Sequence, residues 1–172
     1  MPACPRCFVL AFGLLLAAFL GACDTDNPSS PLEELAGLYD FAELRFVPTA
    51  GNVAPADVRA RLVPSRTSVE LFGTGQVLIR FQVEGGTSAF VNGTFTATRS
   101  TAHLSAEDEE DAARLATLLL PDPLSLARSA DDQSLSASIA MTVNLEAFDP
   151  VGYAGLTAVP GRLDVTLQRR EE

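Results

Sequence analysis

The strongest constraint in this chain is a period of two. Leu135, Ala137, Ile139, Met141, Val143 and Leu145 alternate with Ser134, Ser136, Ser138, Thr142, Asn144 and Glu146. Val77, Ile79, Phe81 and Val83 alternate with Leu78, Arg80, Gln82 and Glu84, and Leu163, Val165 and Leu167 with Arg162, Asp164, Thr166 and Gln168. Successive side chains of a strand point to opposite faces, so each stretch presents one apolar and one wetter face, as half-buried antiparallel strands do. Shorter stretches of similar character are Leu38–Val47, Val58–Leu62, Ser68–Phe72, Gly93–Arg99, Thr101–Ser105 and Leu124–Ser129. Gly73-Thr74-Gly75, Gly85-Gly86 and Asp131-Asp132 punctuate them as turns. Asn92-Gly93 is a hairpin signal on its own. Beside Gly85-Gly86 it reads equally as a bulge or a strand start.

One segment departs from this period. Ser105 is followed three residues later by an acid, as in a capping box, and Glu107–Asp111 places negative charge where a helix dipole favours it. Ala112, Leu115, Ala116 and Leu119 follow at helical spacing, and Pro121 and Pro123 end the run. This helix is too short to form a core alone and is expected to pack on the strands.

Eight or nine short strands and one inserted helix point to a mainly β fold. A small antiparallel meander β-barrel fits best, with a β-sandwich as the alternative. Gly37-Leu38-Tyr39 at the first strand resembles the Gly-x-Trp opening of lipocalin-like barrels, with Tyr in place of Trp. In such barrels an arginine of the last strand packs over that ring. Arg169 has the parity of Leu163, Val165 and Leu167, so it points to the core side and needs an aromatic face or carbonyls there.

The amino terminus reads as a secretory signal: Arg6, then an apolar run from Phe8 to Leu20, too short to cross a bilayer. Leu20-Gly21-Ala22-Cys23 resembles the lipobox of bacterial lipoproteins. The resemblance implies lipidation of Cys23, cleavage before it, and anchorage to a membrane of the bacterial cell envelope by several acyl chains. The expected organisation is a signal peptide over 1–22, a flexible tether over 23–35, and a β-rich domain over 36–172. Cys4 and Cys7 leave with the signal, so the mature domain has no disulfide and depends on packing.

Composition narrows the function. The net charge is −10, and all 12 basic residues are arginines. Such a body disfavours nucleic acid and anionic surfaces. His103 is the only histidine, which excludes a multi-histidine metal site and leaves one base for any triad. The acids at 107–111 lack the alternating ligands and central glycine of a calcium loop. Gly73-Thr74-Gly75 is followed by no lysine and is not a phosphate loop. No cofactor is expected, and no enzymatic constellation stands out.

Two roles remain. In the first, an interior lined by Ile79, Phe81, Met141 and Val143 holds a small apolar or amphiphilic ligand, with the Ala112–Leu120 helix covering one mouth. In the second, those side chains fill the interior, and the domain is an accessory protein that contacts other envelope proteins. Its contact surfaces would then be the helix and the loop Phe148-Asp149-Pro150-Val151-Gly152-Tyr153.

Overall fold

A computed structural model describes residues 29–171. Cys23 and the rest of the signal lie outside the described residues. Nine strands follow in chain order: β1 (Gly37–Pro48), β2 (Ala56–Asp57), β3 (Ser68–Leu71), β4 (Gln76–Gln82), β5 (Ser88–Ala97), β6 (Thr101–Ala106), β7 (Leu124–Arg128), β8 (Ser134–Val143) and β9 (Val159–Arg169). All pairings are antiparallel, and β1 pairs with β9, so eight strands close into a meander barrel. The extra strand, β2, lies on β1 beyond the short β3, at Arg45↔Asp57 and Phe46↔Ala56.

The interior is filled. Tyr39, Phe41, Leu44 and Phe46 of β1 enter it, and a register shift between Phe41 and Glu43 keeps both pairs on the same face. Val69, Leu71, Val77, Ile79, Phe81, Val91 and Phe95 face them, with Leu135, Leu163, Val165 and Leu167 completing the packing. Asn92-Gly93 is neither turn nor bulge. It continues the β4–β5 ladder without a break. A methyl group on Gly93 would lie 2.2 Å from the Ser105 carbonyl oxygen, so glycine there lets two strands approach.

Three short helices close the ends. α1 (Pro31–Leu35) carries a complete capping box between Ser30 and Glu33. Part of the segment expected as tether is therefore ordered against the barrel, with Leu35 fully buried. α2 (Glu109–Thr117) is capped by Asp108, not Ser105. Ser105 and Ala106 are held in β6 by pairing with Thr94 and Gly93, which delays the helix. α3 (Leu145–Phe148) takes over where the alternation of β8 had suggested strand. Val58–Leu62 is likewise not a strand. It forms a 3-10 turn at Arg59–Arg61, and only Leu62 bridges to Val83.

At the lower end, α1 is fastened by two arginines. Arg169 donates to the carbonyls of Glu34 (3.1 Å) and Ala36. The Tyr39 hydroxyl, on the residue paired with Arg169, donates to the Leu35 carbonyl at 2.9 Å. Burial pushes the Tyr39 phenol above its ordinary pKa, with the Arg169 charge opposing. Of the two partners that sequence offered Arg169, the carbonyls hold it. Arg128, its side chain 2 % exposed, reaches Glu34 and Asp132, each at 2.9 Å. Burial opposes its charge, but the two carboxylates outweigh that and raise its pKa.

Candidate functional site

The closure of the barrel is uneven. β8 pairs with β9 along its whole length, from Ser134↔Gln168 to Val143↔Val159. With β7 it pairs only at Ala127↔Ser136 and Arg128↔Leu135. Beyond those rungs the inward side chains of β8, Ala137, Ile139 and Met141, are only half-buried. Val77, Ile79 and Phe81 of β4 and Leu124 and Leu126 of β7 are buried.

Above the gap lies a cleft of about 390 Å³ between α2 and the end of β8. Leu119, Leu120, Met141, Val143 and Phe148 supply its apolar wall. Ala113 and Ala116 leave room on the helix side, and Thr117, Thr142 and Asn144 supply the polar rim. No charged side chain lines it. That is the character of a ligand site at the lower end of the usual size range. Leu119 adopts φ +59°, a conformation that β-carbon sterics disfavour in L-residues. It stands at the exit of α2, where its N–H donates to the Ala116 carbonyl and that of Leu120 to Leu115.

Of the residues singled out in sequence, Met141 and Val143 line this cleft. Ile79 and Phe81 do not. They are 3 % and 5 % exposed on β4, where Ile79 pairs with Val69 and Val91 in the filled interior. The helix covers one end of the barrel, and Leu119 and Leu120, in the outgoing turn of the segment expected as helix over Ala112–Leu120, supply part of the wall. Pro121 and Pro123 were the available signal for that turn, since neither residue can donate to a strand.

The other candidates resolve into structural roles. Asp108 accepts from the Asp111 amide, and buried Asp111 binds Arg114 at 2.7 Å, so the acidic run organises α2. His103 lies on the outer face with Nδ1 2.8 Å from Ser125 Oγ. No carboxylate joins that pair among the described residues, and none of their His, Cys, Asp and Glu side chains form a metal-sized group. Tyr153 folds back to donate to the Pro55 carbonyl at 3.0 Å, while Arg61 sits 4.9 Å from the centre of the Phe148 ring. The Asp149 carboxylate accepts from the Gly152 and Val151 amides, which hold its pKa below the ordinary value, burial opposing and Arg61 assisting. The loop Phe148–Tyr153 is thus tied to the barrel, with Val151 exposed.

A second concavity of about 520 Å³ is lined by Asp40, Arg59, Glu84 and Arg170 among others. Arg59 Nε is spent on the Phe41 carbonyl (2.7 Å), and Arg170 pairs with Asp40. Among the described residues, no helix is long and apolar enough to cross a membrane. No protein-family model matches the chain, and no curated protein does.

Proposed function

We propose that this chain is a lipid-anchored protein of the bacterial envelope, and that its filled barrel presents the cleft between α2 and β8 to a small apolar or amphiphilic ligand. The observation that carries this reading is the uncharged, apolar-walled cleft itself, open to solvent and continuous with the half-buried face of β8. Among the described residues the interior side chains of the barrel form one buried core. The filled interior also favours the second reading, an accessory protein that contacts other envelope proteins. Both readings use the same scaffold, and the cleft separates them.

Titration of the domain with 1-dodecanol, followed through the Met141 methyl resonance, tests the ligand site. A saturable shift is expected, lost in Ala116→Trp, which fills the cleft from the helix side. A Met141 signal indifferent to dodecanol removes this reading. The anchor is tested by Cys23→Ser, which is expected to release the chain from the membrane fraction.

A further inference from the structure

We propose that the cleft receives an extended basic peptide segment, which adds as an antiparallel strand to the open edge of β8. This rests on the reading of the cleft as a ligand site and goes beyond the small apolar or amphiphilic ligand proposed for it. The argument begins with backbone parity. The Ser129 amide donates to the Ser134 carbonyl and the Arg169 amide to the Gln133 carbonyl. Even-numbered residues of β8 therefore direct their N–H and C=O groups toward β7, and odd-numbered ones toward β9. Continued upward, the β7 register would bring residue 123 opposite Ala140 and residue 121 opposite Thr142. Both positions are proline. They have no N–H to give, and the ladder has already ended at Ala127↔Ser136, with Leu124–Leu126 of β7 unpaired to β8. The polar backbone groups of Ala140 and Thr142 are left without a β7 partner, and Thr142 lines the cleft.

Exposed sheet edges are ordinarily blunted by charge, proline or a bulge. β8 has none of these: it reads Ser-Leu-Ser-Ala-Ser-Ile-Ala-Met-Thr-Val and pairs with β9 in unbroken register. Its edge lies in a recess beneath α2, which a single strand enters more readily than the sheet of a folded copy. An added strand would place alternate side chains inward against Met141 and Leu120 and the others outward beside Ser138, Ala140 and Thr142. The charge preference comes from the body of the molecule, whose net charge is −10. Glu109, one helical turn before Ala113 on α2, and Glu146, next to Ala147 in sequence, lie outside the lining itself. Neither belongs to the ion pairs of the described residues.

The test uses the full chain in phosphatidylcholine nanodiscs, with empty discs as control, and the capped peptide Arg-Val-Arg-Val-Arg-Val-Arg. Hydrogen exchange at Ala140 and Thr142 is expected to be fast in the free chain and to slow when the peptide is added. In an antiparallel strand the outward residues carry the amides that face β8. N-methylation of the arginine amides should therefore weaken binding about tenfold or more, and N-methylation of the valine amides much less. Slow exchange at Ala140 and Thr142 in the free chain overturns the proposal. So does equal binding of the two methylated peptides, or failure of the peptide to bind, where Met141 still responds to dodecanol; the cleft reading then survives. Failure of both probes to perturb Met141 removes both.

Discussion

The β1–β9 and β7–β8 seams close the same barrel by different means. The first runs from Tyr39↔Arg169 to Pro48↔Gly161 and buries Phe41, Leu44 and Phe46 against Leu163, Val165 and Leu167. The second holds two rungs and then parts. Among the described strands β1 and β9 are the farthest apart in sequence, so their contact carries the largest loop-closure entropy. It is correspondingly long and well packed. β7 and β8 are near neighbours in sequence, joined by the turn at residues 129–133, and that turn holds them together at the bottom through Ser129 and Ser134. The top of this seam is free of the duty of closure, which is where an opening costs the fold least.

The largest expected effect lies in the closed seam. Phe46→Ala removes a fully buried ring beside Gly161 and should destabilise the domain by about 3–5 kcal/mol in urea unfolding. Gly161 is part of the same fit, because a methyl group there would come 2.3 Å from Phe46 Cζ and 2.5 Å from the Val47 carbonyl oxygen. A loss under about 1 kcal/mol for Phe46→Ala would mean that the two seams are alike after all.

A second pair of substitutions compares the two edges of one strand. Ala137 faces β9 with its backbone and pairs with Val165, whereas Ala140 faces the open side. Ala137→Pro removes a ladder donor and strands its partner carbonyl, at about 1–3 kcal/mol or more. Ala140→Pro removes a donor that has no strand opposite it, and should cost clearly less. Ala137 is half-buried against the core and Ala140 exposed, so Ala137→Ser and Ala140→Ser serve as controls for the side-chain difference. Equal unfolding midpoints for the two variants would deny that the upper seam is open.

The seams differ in how well the sequence announces them. Alternation in β4, β8 and β9 was legible because one face of each is buried and the other wet. The barrel followed from the number of such strands. Which edge would part was not legible, since pairing depends on where neighbours end. Pro121 and Pro123 marked the end of a helix equally well, and only the register of β7 against β8 gives them their second meaning. The same limit explains the site. Met141 and Val143 shared an apolar face with Ile79 and Phe81 in pattern, but the barrel places the two pairs on distant strands. Leu119 was legible as part of a helical run and Phe148 as part of a contact loop, but no periodicity brings either beside Met141. Ser105 shows the converse: its capping signal was sound locally and lost to the β5–β6 ladder.

The smallest expected effect concerns Leu119, where the open seam meets the cleft. Its side chain is 5 % exposed while its backbone sits at φ +59°. Burial favours leucine, whereas the backbone favours glycine, and two substitutions separate the terms. Leu119→Ala removes most of the side chain and keeps the disfavoured conformation. Leu119→Gly removes the side chain and relieves it. Alanine is ordinarily the more stable of the two in regular structure, by roughly 0.5–1 kcal/mol. Here the order should invert, with Leu119→Gly the more stable variant by about 1 kcal/mol. Thermal or urea unfolding of the pair reads the difference directly. If alanine keeps its usual advantage, the turn out of α2 relaxes without its leucine. The wall of the cleft would then be held by side-chain packing alone rather than by the backbone that aims it.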